Sequence, residues 1–192
     1  MIADCYVNTS VKLLILKGIF VLFLLVGCAS QAPVVRPDLD FVAKGKLGVK
    51  LGDKGYSASF SWQQFAAGYA IDVWGPLGQG RTKLRGNAAS MRVIRGDEVL
   101  AEGPPELVMQ THLGWSVPLD VLPAWISGRP DTDSTIEGAV YDPMQRLIEF
   151  QQANWHVSFS RFHDAGPDAR PGRIVARSGV KKVTVLVRQF TQ

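Results

Sequence analysis

The chain has 192 residues, 46% of them hydrophobic and 20% charged, with a formal net charge of +4. That length fits one globular core plus a targeting segment, and the composition is that of an ordinary folded protein. The positive balance is spread over the chain without an Arg- or Lys-rich helix or block, which argues against nucleic-acid binding.

The first element is an export segment. Lys12 and Lys17 lie around and inside an apolar run, Leu13 to Leu16 and then Ile19 to Val26, in the order of a charged n-region and an apolar h-region. Lys17 interrupts the run, and the uninterrupted part falls short of the roughly 20 residues that a membrane-spanning helix needs. The run ends in Leu25-Val26-Gly27-Cys28, which resembles the lipobox of bacterial lipoproteins. The resemblance implies that residues 1–27 are a signal peptide and that Cys28 becomes an acylated N-terminus. At about 0.8 kcal/mol per buried CH₂, even two acyl chains anchor stably. Cys5 would leave with the signal, so the mature chain has no disulfide framework. Asp4 and Cys5 are unusual in a positively charged n-region and suggest a natural start near Val11. Ala29 stands where an aspartate would resemble an inner-membrane retention signal. Outer-membrane delivery is expected instead.

Residues 28–40 then read as a lipidated tether, with Pro33, Pro37 and no periodicity. Residues 41–192 form the folded domain. From Phe41 the period becomes two: Phe41, Ala43, Gly45, Leu47, Val49 and Leu51 oppose Lys44, Lys46 and Lys50. Gly52-Asp53-Lys54-Gly55 is a hairpin connection, after which Tyr56, Ala58, Phe60 and Trp62 alternate with serines and Gln63. Tyr69 to Trp74 continues the meander, Gly75-Pro76-Leu77-Gly78-Gln79-Gly80 breaks it, and Arg81 to Arg85 returns. Short strands follow at Met91–Ile94 and Val99–Ala101.

Between Pro104 and Gly128 the spacing becomes helical, over Glu106–Leu113 and Leu119–Ile126, each ended by a glycine. Strand patterns resume in 135–141, 146–151, 154–162, 174–177 and 182–190. Strands this numerous must curl or close to protect their edges. The fold expected is mainly β with short helices: an incomplete antiparallel β-barrel with an inserted helical lid or plug.

No catalytic constellation is visible. His112, His156 and His163 are scattered outside metal-ligand spacing, no G-x-S-x-G elbow occurs, and Asp38, Asp40, Asp131, Asp133 and Glu137 read as solvated loop charges. Neither enzyme activity, a metal nor a cofactor is expected. What stands out is the weight of aromatics, with Phe60, Trp62 and Trp155 on the apolar side of alternating strands. Composition alone does not decide between a packed core and a pocket.

Six strings in order, Gly45-Lys46-Leu47-Gly48, Ser61-Trp62-Gln63-Gln64, Gly75-Pro76-Leu77-Gly78, Gly114 to Leu119 (GWSVPL), Trp125 to Pro130 (WISGRP) and Asn154-Trp155-His156-Val157, cover nearly all of the mature chain. The ordered set resembles the LolB family of outer-membrane lipoprotein receptors. The resemblance implies an open barrel whose apolar concavity holds acyl chains of lipoproteins received from the periplasmic carrier LolA, for insertion into the outer membrane. Phe60, Trp62, Tyr69, Trp125 and Trp155 are then expected to line the acyl-chain cavity, and Pro76, Leu77 and Gly78 to form a membrane-insertion loop. A leucine held between Pro76 and Gly78 at a hairpin tip has little room to turn back into a core. The partners implied are the carrier, lipoprotein acyl chains and outer-membrane lipid, with the chain a monomer. The segment before Phe41 is short for the N-terminal helix often found in this family. Two other classes fit the residues less closely: a lipocalin-like binder of a small apolar ligand, and a lipid-anchored scaffold for outer-membrane assembly with a filled core.

Overall fold

The computed structural model describes residues 39–192. The expected signal peptide, Cys28 and the expected tether through Asp38 lie outside the described residues. Eleven strands form one antiparallel sheet. The first run is β1 (Leu39–Leu51), β2 (Lys54–Phe65), β3 (Gly68–Trp74), β4 (Thr82–Gly86), β5 (Met91–Arg95) and β6 (Glu98–Gly103). Helices α1 (Pro105–Leu113) and α2 (Leu122–Ile126) follow. The second run is β7 (Glu137–Tyr141), β8 (Leu147–Gln152), β9 (Trp155–Phe162), β10 (Pro171–Ser178) and β11 (Lys181–Thr191). The sheet begins two residues earlier than the alternation from Phe41 indicates, because Leu39 already pairs with Phe65.

The spatial order is β6-β5-β4-β3-β2-β1-β11-β10-β9-β8-β7. Each run is a meander, and pairing of β1 with β11 joins the two. The edge strands β6 and β7 do not pair with each other, so the barrel stays incomplete, and the chain that connects them carries both helices. The expected fold class is the one observed.

The join between the runs depends on Gly45. A β-bulge falls between Lys44 and Gly45, where Gly45 pairs with Val187 after Lys44 pairs with Gln189. A Cβ at Gly45 would lie 1.8 Å from the carbonyl oxygen of Leu186. Only glycine admits that approach, and the bulge bends the sheet where curvature is needed.

Helix α1 ends as its residues dictate, with Gly114 in the left-handed conformation (φ 74°) and its N–H donating to the Gln110 carbonyl. Helix α2 is shorter than the spacing over 119–126 suggests. Pro123 lies in its first turn; beginning the helix at Leu119 would move the proline ring into the interior, against the carbonyl four residues back.

The core divides along the sheet. Under β8, β9 and β10 it is filled by aromatics: Trp125 meets Phe150 edge-on at 6.4 Å, and Phe150 meets Phe159 at 5.3 Å. Under β1 to β4 and β11 the packing is incomplete. That is where the site lies.

Candidate functional site: an apolar cavity and a protruding loop

A cavity of about 200 Å³ opens under the first half of the sheet. Leu47, Val49, Ala58, Phe60, Trp62, Ile71, Val73 and Leu84 form its floor together with Val183 and Val185 of β11. Met109 of α1, Trp115, Val117 and Leu119 of the connecting segment, and Leu122 and Ile126 of α2 form its roof. The wall is almost entirely apolar. Such a surface has nothing to orient a polar ligand, and rewards only the removal of hydrocarbon from water.

Strand alternation explains the floor. Residues 56, 58, 60 and 62 point to one face of β2, and pairing sets Val49 opposite both Tyr56 and Val183. Tyr56 is 54% exposed although it lines the cavity, so the wall meets solvent at this tyrosine. The indole N–H of Trp62 donates to Oε1 of Gln64 at 3.0 Å, while Gln64 Nε2 donates to the carbonyls of Phe65 and Gly68. The Ser61-Trp62-Gln63-Gln64 string thus ties down a cavity tryptophan from its own strand.

Of the five aromatics expected in the cavity, Phe60 and Trp62 line it. The other three are buried away from its wall. Tyr69 packs beside Trp62 with ring centroids 6.2 Å apart, and its hydroxyl is buried without a hydrogen-bond partner. Burial pushes its pKa up to about 12. Trp155, on β9, lies outside the walled half of the sheet and has the Lys181 ammonium over its ring at 5.4 Å. Trp125 belongs to the filled half. Alternation places the four strand rings inward and α2 carries the fifth, but the packing of the helices decides which of them meet empty space.

Trp125 shows what holds the roof. Its indole N–H donates to Oε1 of Gln152 at 2.8 Å, an oxygen that also accepts from the Asp131 backbone N–H at 3.0 Å. Gln152 Nε2 donates to the carbonyls of Asp131 and Ser134, each at 2.9 Å. Gln152 is 2% exposed, and it fixes α2 and the segment after it to β8. The strand pattern over 146–151 stops one residue short of it. Its signal is that Gln152 is in phase with Ile148 and Phe150, a polar residue on an apolar face. Gly128, at φ 87°, lets the chain leave α2 close to β10, where a Cβ would lie 2.6 Å from Pro171 Cδ.

The break after β3 is a tight projecting turn. Gly75 N–H donates to the Gln79 carbonyl at 2.8 Å and closes its neck, while Pro76–Gly78 forms a single 3₁₀ turn. Leu77 sits at the tip, 98% exposed, in the left-handed region at φ 56°, ψ 20°. That conformation is costly for leucine, and the side chain gains no burial in return. At the base, Arg81 stacks over Trp74 at 4.5 Å and bonds Asp72 at 3.4 Å, and Arg85 bonds Asp72 at 2.6 Å.

The family model described as "Outer membrane lipoprotein LolB" matches residues 39–190. The chain is 30% identical to an outer-membrane lipoprotein LolB from Cellvibrio japonicus, covering 93% of this chain and 97% of that protein. It is 29% identical to its counterpart from Chromohalobacter salexigens, covering 90% and 88%. A crystal structure of a LolA-superfamily protein from Nitrosomonas europaea aligns with a TM-score of 0.49 at 8% identity, over 80% of this chain and 86% of that one.

Proposed function

The chain belongs to the LolB family of outer-membrane lipoproteins, and from that premise we propose that it takes lipoprotein acyl chains from a LolA-like carrier into its apolar cavity and inserts them into the outer membrane. The observation that carries this reading is the cavity: a nearly all-hydrocarbon wall left unfilled in an otherwise packed core. A scaffold with a filled core has no use for it.

Each CH₂ exposed during transfer costs about 0.8 kcal/mol, so carrier and receptor present their apolar openings to one another. No covalent step is required, and neither enzyme activity nor a cofactor enters the scheme. At about 200 Å³ the cavity is smaller than the ~300–1,000 Å³ of ordinary small-molecule sites, so the roof gives way as chains enter. Gln152 pins α2, which leaves α1 and the Trp115–Leu119 segment as the yielding part. In delivery, Leu77 enters the bilayer first, with Trp74 and Arg81 at the headgroup level. Cys28 carries the anchor, and the chain acts as a monomer.

A two-step assay tests the reading. The chain is offered a radiolabelled lipoprotein bound to the carrier, and then liposomes. Passage of label from carrier to chain to liposome is expected. Uptake of a small apolar probe with refusal of the lipoprotein would replace the proposal with a small-ligand binder.

A further inference from the structure

Strand pairing sends five turns to one end of the sheet. β3 ends at Trp74 opposite Ser59, toward the β1–β2 turn, and the β10–β11 turn lies beside that turn, where Gly52 N–H donates to the Val180 carbonyl at 3.2 Å. The cavity is in the same half of these strands: Val49, Tyr56 and Val183 form one row across β1, β2 and β11, two residues short of the turns.

Val180 is the anomaly at this end. Ser178 pairs with Lys181, which leaves a two-residue turn of Gly179 (φ 56°) and Val180. Such turns ordinarily carry small polar residues outward, yet here a β-branched valine is 78% exposed. Around it stand Lys50 and Lys54, both exposed, and Lys181 and Lys182, both partly exposed. None of the four makes a salt bridge among the described residues, and the carboxylate at this tip is Asp53.

We propose that the Val180 turn is a second membrane contact, an apolar point in a lysine collar that seats on anionic phospholipid beside the cavity's open edge. The inference rests on the reading that this end of the sheet faces the bilayer. Two separated points, Leu77 and Val180, fix the tilt of the domain where one point leaves it free, and the route from Tyr56 to the membrane lies between them. Lysines without a carboxylate partner near an anionic surface draw the tip down, and the valine makes the short apolar entry.

The test uses the acylated mature chain with Val180→Cys labelled by an environment-sensitive fluorophore, Cys28 being blocked by its acyl group. Matching labels at Leu77→Cys and at Met144→Cys, on the opposite end, serve as comparisons. In vesicles of phosphatidylethanolamine and phosphatidylglycerol, the 180 label is expected to shift to the blue and to be quenched by nitroxide lipids. The shift should be lost with Lys50→Glu and Lys54→Glu together, and the 144 label should stay aqueous. A 180 label that stays aqueous while the 77 label is buried overturns the second contact and leaves the insertion loop standing. A buried 180 label with an aqueous 77 label supports the contact and removes the loop. Equal burial of the 180 label in pure phosphatidylcholine overturns the role of the lysines.

Discussion

Trp125 and Gln152 lie 27 positions apart in the chain, and one 2.8 Å hydrogen bond between their buried side chains joins the cavity roof to the sheet. Gln152→Ala leaves the indole N–H, the Asp131 N–H and two carbonyls without their partner. Unsatisfied buried groups cost about 1–3 kcal/mol each, and partial relaxation lowers the sum, so a destabilisation of about 2–4 kcal/mol is expected. Denaturant unfolding measures it. Loss below ~1 kcal/mol would mean that α2 is held by packing alone.

Leu77 separates stability from function. Leucine in the left-handed region costs roughly 1–2 kcal/mol, so Leu77→Gly or Leu77→Asn is expected to keep or raise the thermal midpoint while slowing release of cargo to liposomes. Leu77→Glu should fold, take cargo and stall with it bound. If Leu77→Gly delivers as fast as the parent chain, the side chain has no part in insertion.

Ala58 offers a way to close the cavity without touching the filled core. It lines the cavity on β2 between Tyr56 and Phe60, and Ala58→Phe directs a ring into empty space, so overpacking strain is small. The variant is expected to keep its unfolding midpoint and to lose binding of a fluorescent fatty acyl probe. Retained binding would put the chains elsewhere.

Tyr69 carries a buried hydroxyl without a partner, so Tyr69→Phe is expected to stabilise the domain by about 1–2 kcal/mol. Its pKa of about 12 in the folded state against 10.0 for the free side chain means that the unfolded chain loses this proton first. The stability tied to the protonated hydroxyl is therefore full below pH 10 and falls as pH rises through 12. Phenylalanine should flatten that part of the alkaline unfolding curve. A curve of unchanged slope would assign it to the lysines.

Much of the sheet is legible in the sequence because burial there follows a period of two: Phe41, Ala43 and Val49 are buried where alternation puts them, and the β1–β2 turn falls on Gly52-Asp53. Depth is not legible. Phe60 and Trp155 carry the same inward signal, yet one lines a void and the other a filled core, because the difference arises from strands far apart in the chain and from where α2 docks. Gln152 is illegible for a related reason. A glutamine at the end of a strand looks solvated until its four partners, brought from the helical connection, are in place.

The direction in which β1 enters the sheet sets a leash. Leu39 lies beside Phe65, and the row that holds Trp74 is seven residues further along β1, roughly 23 Å at ~3.3 Å per residue. The strand therefore starts at the end away from Leu77. From Cys28 to Leu39 there are eleven residues, with a reach of at most roughly 36–40 Å. On the proposal that Cys28 carries the anchor, that reach exceeds the distance along β1 to the row of Trp74 by little. Deletion of residues 30–35 should thus leave cargo uptake intact and arrest delivery to the chain's own membrane. The unacylated Cys28→Ser chain, free to turn, should still deliver to liposomes. An anchor at Cys28 would thus limit how the domain can bow toward the surface that holds it.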